Sequence, residues 1–267
     1  MDTSELKGHW ALILGASSGF GEAVSLRLAK EGMNIFGVHL DRKATLPNVE
    51  RIRTEIEKSG SETVFFNINA AGHEERANVV EEIDEKLSNS AIKIRIMLHS
   101  LAFGTLKPFI ADDQKDSINP KQMDMTLDVM AHSLVYWTQD LVSKNLFSEN
   151  GRIFAMTSAG GHRIWPTYGA VSAAKAALES HIRQLSVELA KKKITANSIQ
   201  AGVTDTPALR KIPGNSEMID NTKRVNPYGE LTTPEKVANA IATFCLSSTE
   251  WMTGNVIRID GGEDIAG

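Results

Sequence analysis

Two groups of residues in this chain have types and spacing suited to chemistry. The first is Gly15-Ala16-Ser17-Ser18-Gly19-Phe20-Gly21, three glycines in a GxxxGxG spacing. Glycine allows a tight turn and lets a bound group approach the backbone. The N–H groups and positive end of a following helix then face an anion such as a pyrophosphate. Gly15, Ser17, Ser18, Gly19, Phe20 and Gly21 are the candidate contacts; the plain alternative is a glycine-rich strand-to-helix turn without a ligand. The second group is Tyr168 followed seven residues later by Lys175. At about 100° per residue, seven steps bring a helix to within about 20° of its starting direction, so the two side chains share a face, two turns apart. Ser158 stands ten residues before Tyr168 at the end of an apolar run. Packing would explain Tyr168 alone, and a strand end would explain Ser158. Lys175 lies among Ala173, Ala174, Ala176 and Ala177 on a helix that reads as buried, where an unpaired ammonium is costly. His99 and His162 read as hydrogen-bonded structural histidines.

The elements that must position these groups follow from periodicity. Short apolar runs predict strands at 10–14, 34–39, 64–66, 94–98, 153–156, 195–199 and 256–259. Amphipathic patterns predict helices at 22–30, 49–60, 79–87, 127–145 and 169–191. Thr233-Pro234-Glu235 is a cap-plus-proline start for one more, running to about residue 246. This alternation indicates an α/β fold: a doubly wound parallel sheet of about seven strands with helices on both faces. No Pro/Gly/Ser-rich linker interrupts it, which predicts a single domain over 1–267. Two connections, 105–126 and 205–231, are long enough to be functional and leave carboxyl ends of strands, where such sheets bind ligands. The second reads as a substrate lid, with Met218 and Ile219 either lining it or packing it down.

Composition narrows the functions. The chain has 267 residues, of which 42% are apolar and 23% charged, enough for a large core and too apolar for global disorder. Lys plus Arg number 29 against 33 Asp plus Glu, a net charge of -4, which argues against nucleic acid as a partner. The single cysteine, Cys245, rules out an internal disulfide and a cysteine-rich zinc site, and no carboxylate cluster suggests another metal. Met1-Asp2-Thr3-Ser4-Glu5 is acidic rather than leader-like, and no run approaches the ~20 apolar residues that span a bilayer. The expectation is a soluble cytoplasmic protein.

The loop GASSGFG resembles the cofactor loop of the short-chain dehydrogenase/reductase family, and the likeness runs to Ile259-Asp260-Gly261-Gly262. It implies a Rossmann-like fold, a nicotinamide dinucleotide and hydride transfer. Common members carry Tyr-x3-Lys, but Val171 stands four residues before Lys175. Tyr168-x6-Lys175 instead resembles the enoyl-acyl-carrier-protein reductase branch, as does His99-Ser100-Leu101-Ala102-Phe103. Such an enzyme delivers hydride to the β-carbon of an enoyl thioester while charge develops on the thioester oxygen, so the stabilising hydroxyl must stand farther from the nicotinamide. The resemblance implies Tyr168 in that role, Lys175 holding ribose hydroxyls and lowering the tyrosine's pKa, and Ser158 at the family's catalytic serine. Serine there, with 201–206 and 208–211, is most similar to an NADPH-using bacterial subgroup. Met130 replaces the helical asparagine of common members.

The resemblance also implies dinucleotide contacts at His39, Asn67, Ile68, Ser100, Ala102, Lys175, Gly202, Thr204 and Thr206. After the second strand Asp41 would favour NAD(H), whereas Arg42 and Lys43 would meet a 2′-phosphate, so the expectation is NADP(H) ahead of NAD(H). The implied partners are an acyl thioester, on acyl carrier protein or coenzyme A, and further copies of the chain in a homotetramer. Leu134, Val135, Trp137 and Leu141, with Leu178, Ile182, Leu185 and Leu189, make two helices look apolar beyond one stripe and so support the homo-oligomer. A carbonyl or alcohol dehydrogenase and a catalytically retired nucleotide-binding protein are the competing readings.

Overall fold

The computed structural model describes residues 4–267; Met1, Asp2 and Thr3 of the amino-terminal reading lie outside the described residues. The strands are β1 (Trp10–Leu14), β2 (Asn34–His39), β3 (Thr63–Asn67), β4 (Ile94–His99), β5 (Phe147–Ser158), β6 (Thr195–Ala201) and β7 (Val256–Ile259). They form one sheet in the order β3-β2-β1-β4-β5-β6-β7, every neighbouring pair parallel. The strand order reverses between β1 and β4, which opens a crevice at their carboxyl ends.

The helices are α1 (Gly19–Lys30), α2 (Leu46–Lys58), α3 (His73–Leu87), α4 (Pro120–Leu127), α5 (Ser133–Ser143), α6 (Gly169–Glu188), α7 (Asn215–Val225), α8 (Pro234–Phe244) and α9 (Glu263–Ala266). Alternate residues of β1 divide between the two faces of the sheet. Leu12 and Leu14 pack in a core with Val79 of α3, Trp137 of α5 and Leu178 of α6. Ala11 and Ile13 pack on the other side with Val24 of α1, Ile52 of α2 and Ile241 of α8. Because both faces are covered, β1 is buried at every position, which is why Trp10-Ala11-Leu12-Ile13-Leu14 is continuously apolar instead of alternating.

Three regions differ from the sequence expectation. The helix expected over 127–145 begins at Pro120 and is interrupted by a π-helical turn, Asp128–His132, that holds Met130. Its start has a capping box: Asn119 Oδ1 accepts from Gln122 N–H while Gln122 Oε1 accepts from Asn119 N–H. The segment 205–231 contains α7, on which Met218 and Ile219 are half-buried. Finally, Leu134, Trp137, Leu141, Leu178, Ile182, Leu185 and Leu189 all lie within this chain's own core. These seven therefore supply no argument for a second surface; Val135, the remaining member of that set, is half-buried on α5. Among the described residues, no helix is long and apolar enough to cross a membrane.

Candidate active site

The glycine loop closes as a backbone cradle between β1 and α1. Gly15 has φ +92°, and a Cβ there would lie 2.4 Å from the Ser100 carbonyl oxygen. A Cβ on Gly21 would lie 2.0 Å from the Gly15 carbonyl oxygen, so Gly21 is where helix and loop pack backbone to backbone. Any side chain at either place would displace backbone, and the turn that aims the α1 N–H groups would be lost. The cradle opens into a cleft of about 390 Å³. Of the expected contacts, Gly15, Ser17, Ser18, Gly19, Phe20, His39, Ile68, Ser100, Ala102 and Thr206 line it. Thr206 closes over the loop, its methyl 3.4 Å from a Cβ built on Gly19. Gly21, Lys175, Gly202 and Thr204 are not on the wall; Thr204 is buried and its hydroxyl donates to the Gly202 carbonyl (2.9 Å). Met125, Val129 and Lys211 do line the cleft and were not expected. The signal for Met125 was the Asn119-Pro120-Lys121-Gln122 cap, which starts its helix early, whereas Val129 lay inside the expected helix, on what proves to be the π-helical turn.

Beyond the carboxyl end of β2, acid and base are arranged differently from each other. Asp41 Oδ2 lies 3.0 Å from His39 Nδ1, and its N–H donates to Asn67 Oδ1 (2.9 Å). Burial pushes the Asp41 carboxyl up, but hydrogen bonds from Ser17, Thr45 and His39 outweigh it and hold the carboxyl below its ordinary value. Arg42 and Lys43 are exposed and neither lines the cleft. Lys43 and Asn67 instead face a shallower neighbouring hollow shared with His39 and Arg53.

The second group forms where β5 ends and α6 begins. Tyr168 caps α6 rather than lying inside it, with φ −89° and ψ 2°, while Lys175 sits within the helix, buried. Lys175 Nζ donates to the Met156 carbonyl (2.7 Å). Burial lowers its pKa to about 8, with Glu179 pulling the other way. Glu179 in turn accepts from Thr157 Oγ1 (2.6 Å), which ties α6 to β5 beside Ser158. Ser158 Oγ is buried and makes no hydrogen bond of full geometry. Both Ser158 Oγ and the Tyr168 ring crowd the position of a Cβ on Gly160, at 3.1 and 2.5 Å, so only glycine leaves room for the pair to face each other. Burial raises the Tyr168 pKa and Ser158 partly offsets it, so the phenol is a protonated donor at neutral pH. The expectation that Lys175 lowers this pKa is not met: its ammonium turns to Met156, and desolvation dominates the phenol.

Thr167, directly before Tyr168, has φ +65°. A β-branched residue in the left-handed region is strained and persists only where its surroundings hold it; such strain costs on the order of 1–3 kcal/mol. His99, at the end of β4, is fully buried with Nε2 2.8 Å from Ser133 Oγ. Burial, and then the Lys175 charge, lower its pKa to about 3, so it is a neutral structural group. His162 Nε2 lies 3.0 Å from Asp264 Oδ1. Among the described residues no group of three or more His, Cys, Asp or Glu side chains could hold a metal.

Comparisons with known proteins fit this arrangement. Residues 15–263 match a family model described as enoyl-(acyl carrier protein) reductase. The chain is 26% identical over 265 residues to the NADH-dependent enoyl-(acyl-carrier-protein) reductase of Aquifex aeolicus, covering 98% of this chain and 93% of that one. The crystal structure of the Aquifex enzyme superposes with a TM-score of 0.83 over 98% of both chains. The cyclohexanol dehydrogenase of a Rhodococcus species is 27% identical, with 98% of both chains covered. An angucycline C-6 ketoreductase with bound NADP shares the fold at 23% identity, with a TM-score of 0.83 over 97% of both chains.

Proposed function

Because the chain belongs to the short-chain dehydrogenase/reductase family, in the group described as enoyl-(acyl carrier protein) reductase, and is thereby an NAD(P)H-dependent oxidoreductase, we propose that it reduces the carbon–carbon double bond of an enoyl thioester. The observation that carries this reading is the hydroxyl pair Ser158–Tyr168, with the tyrosine seven residues rather than four ahead of the buried Lys175. The dinucleotide, which supplies hydride when bound, fits a cradle whose backbone leaves no room for a Cβ at Gly15 or Gly21. Tyr168, held protonated by burial, donates to the thioester oxygen as negative charge develops there. Ser158, whose buried oxygen has no other partner of full geometry, is the second donor. Lys175 holds the ribose, with Met156 and the Glu179–Thr157 contact setting its direction. The segment 205–231 closes over the substrate through Thr206 and Lys211.

We read the dinucleotide as NADP(H). Asp41 is engaged by its own neighbours, while Arg42 and Lys43 stand exposed beside it, available to a 2′-phosphate. Resemblance to the family is the remaining support for a homotetramer; a sedimentation mass near 29.1 kDa, that of one chain, would sink it.

A second reading, carbonyl or alcohol reduction, is favoured by Ser158 facing the tyrosine and by the likeness to a cyclohexanol dehydrogenase. The experiment that separates them follows NADPH absorbance with purified protein and either a crotonyl or an acetoacetyl thioester. Oxidation of NADPH with the crotonyl substrate alone is expected. Turnover of the keto substrate alone would establish the second reading. Nucleotide binding without turnover of either would leave a retired enzyme.

A further inference from the structure

The carboxyl-terminal helix α9 carries one carboxylate with an unusual number of partners. The Asp264 side chain is 4% exposed. Its Oδ1 accepts from Arg163 Nε (2.7 Å) and lies 3.0 Å from His162 Nε2. Its Oδ2 accepts from Gln200 Nε2 on β6 (3.0 Å) and pairs with Arg258 Nε on β7 (3.0 Å). The Asp264 carbonyl accepts a further bond from Arg163. Asp260 anchors α9 itself, accepting from Gly262 N–H (2.9 Å) and Asp264 N–H (3.1 Å).

His162 and Arg163 belong to the loop 159–168, which runs from Ser158 to Tyr168. The same loop packs directly on the proposed catalytic side chains. A Cβ on Gly160 would lie 2.5 Å from the Tyr168 ring, and one on Gly161 would lie 3.5 Å from Lys175 Cβ. It also contains the strained Thr167 at φ +65°. A loop that stores strain and has little apolar anchoring needs external restraint to stay in one conformation. Trp165 supplies part of it, donating to the Pro213 carbonyl (3.1 Å), but Asp264 binds two consecutive loop residues from the rigid β6–β7 edge.

We propose that Asp264 is a positioning residue for the reaction: a carboxyl-terminal clasp that holds the loop 159–168 so that Ser158 and Tyr168 converge on the substrate oxygen. This rests on the reading of Tyr168 as the proton donor. It predicts a defect in turnover that exceeds any in dinucleotide affinity: the side-chain partners of Asp264 lie on the loop, β6 and β7, whereas the α9 residue that reaches the expected dinucleotide stretch is Glu263, which accepts from Val203 N–H.

The test measures kcat on the substrate the wild type turns over, together with dinucleotide affinity, for Asp264→Ala, Arg163→Ala, the double variant and Tyr168→Phe, well below the melting temperature of the weakest. Asp264→Ala is expected to lower kcat at least about tenfold, as a small misplacement of a catalytic group does, with dinucleotide Kd within about twofold of wild type. If Asp264 and Arg163 act as one device, the double variant is no slower than the worse single one. Should Asp264→Ala not fold, Asp264→Asn and Arg163→Ala carry the same comparison. Unchanged kcat in Asp264→Ala, or Kd worsening in step with kcat, overturns the clasp. Full activity in Tyr168→Phe would instead overturn the reading of the tyrosine, whatever the clasp variants do.

Discussion

The proposed dinucleotide cradle, at the end of β1, and the Ser158–Tyr168–Lys175 group, at the end of β5, are separated by one strand of the same sheet but are built in opposite ways. The cradle is made of backbone. Its working parts are the N–H groups of a loop and a helix start, and its critical residues matter for the side chains they lack: Gly15 and Gly21 are pressed within 2.4 and 2.0 Å of carbonyl oxygens at the places a Cβ would take. The second group is made of side chains, Lys175 buried and Ser158 and Tyr168 half-buried, whose surroundings are held by distant partners. Lys175 is directed by Met156, Glu179 is tied to Thr157, and the loop bearing Tyr168 is tied to Asp264, ninety-six residues further on. A backbone site fails when atoms are added; a side-chain site fails when a hydroxyl, a charge or a restraint is removed. Binding and turnover should therefore come apart under mutation.

The largest expected effect is on turnover. If Tyr168 is the proposed donor to developing charge, kcat of Tyr168→Phe on an enoyl thioester should fall about 10²–10³-fold while dinucleotide affinity, read by fluorescence titration, stays near wild type. Full activity in this variant would remove Tyr168 from the chemistry. Gly21→Ala should show the converse pattern. Its methyl collides with the Gly15 carbonyl, and relieving such an overlap costs roughly 1–3 kcal/mol. Dinucleotide affinity should weaken about tenfold or more and the melting temperature should drop, with kcat at saturating dinucleotide affected less. Wild-type affinity would show that the cradle is not the binding site.

A third measurement uses pH. Lys175 has its pKa lowered by burial to about 8, so its charge is present below that value and lost as pH rises through it. If the ammonium holds the ribose, kcat/KM should be level below pH 8 and fall about tenfold per unit above it, a limb absent from the residual activity of Lys175→Ala. A flat profile well past pH 8 in the wild type would sever Lys175 from the rate. The same lowering has a stability consequence of the opposite sense: the folded state binds fewer protons than the unfolded one between about 8 and the ordinary 10.5, so unfolding free energy should rise with pH across that window.

Smaller effects test the rim. Arg42→Ala removes one exposed cation, worth about 1 kcal/mol in water, so NADPH should bind roughly fivefold more weakly with NADH unaffected. Tighter binding of NADH than NADPH by the wild type would reverse the assignment and give Asp41 the ribose. Val171→Ala should do least to the rate. Val171 occupies the tyrosine position of common family members but packs with Met130 and Ala174 and has no hydroxyl. The truncation should cost on the order of 1–2 kcal/mol of stability. A loss of kcat as deep as that of Tyr168→Phe would mean that packing, not the displaced hydroxyl, governs the site.

What the sequence by itself determined was local. All seven strands fall where the sequence places them; in β1 the apolar run is continuous because both faces are covered, whereas β7 alternates exposed and half-buried positions, and the glycine spacing placed the cradle because only glycine tolerates those backbone approaches. Tyr168 and Lys175 were visible as a pair because seven residues are two helical turns, although Tyr168 proves to be the helix cap. Periodicity shows that a helix is apolar on several sides but not what covers them; Trp137 and Leu178 are covered by this chain itself. The Asn119 capping box is written in the sequence as Asn119-Pro120-Lys121-Gln122 and starts α4 seven residues ahead of the expected helix. Tertiary structure alone decided the rest: which cations stand outside the cleft, that Lys175 turns to Met156 rather than toward the phenol, and that Asp264 reaches the loop ahead of Tyr168. Those contacts join residues tens to a hundred positions apart. Side-chain partnership at such separation depends on how strands are ordered and loops folded back, and no local pattern of residue types records it.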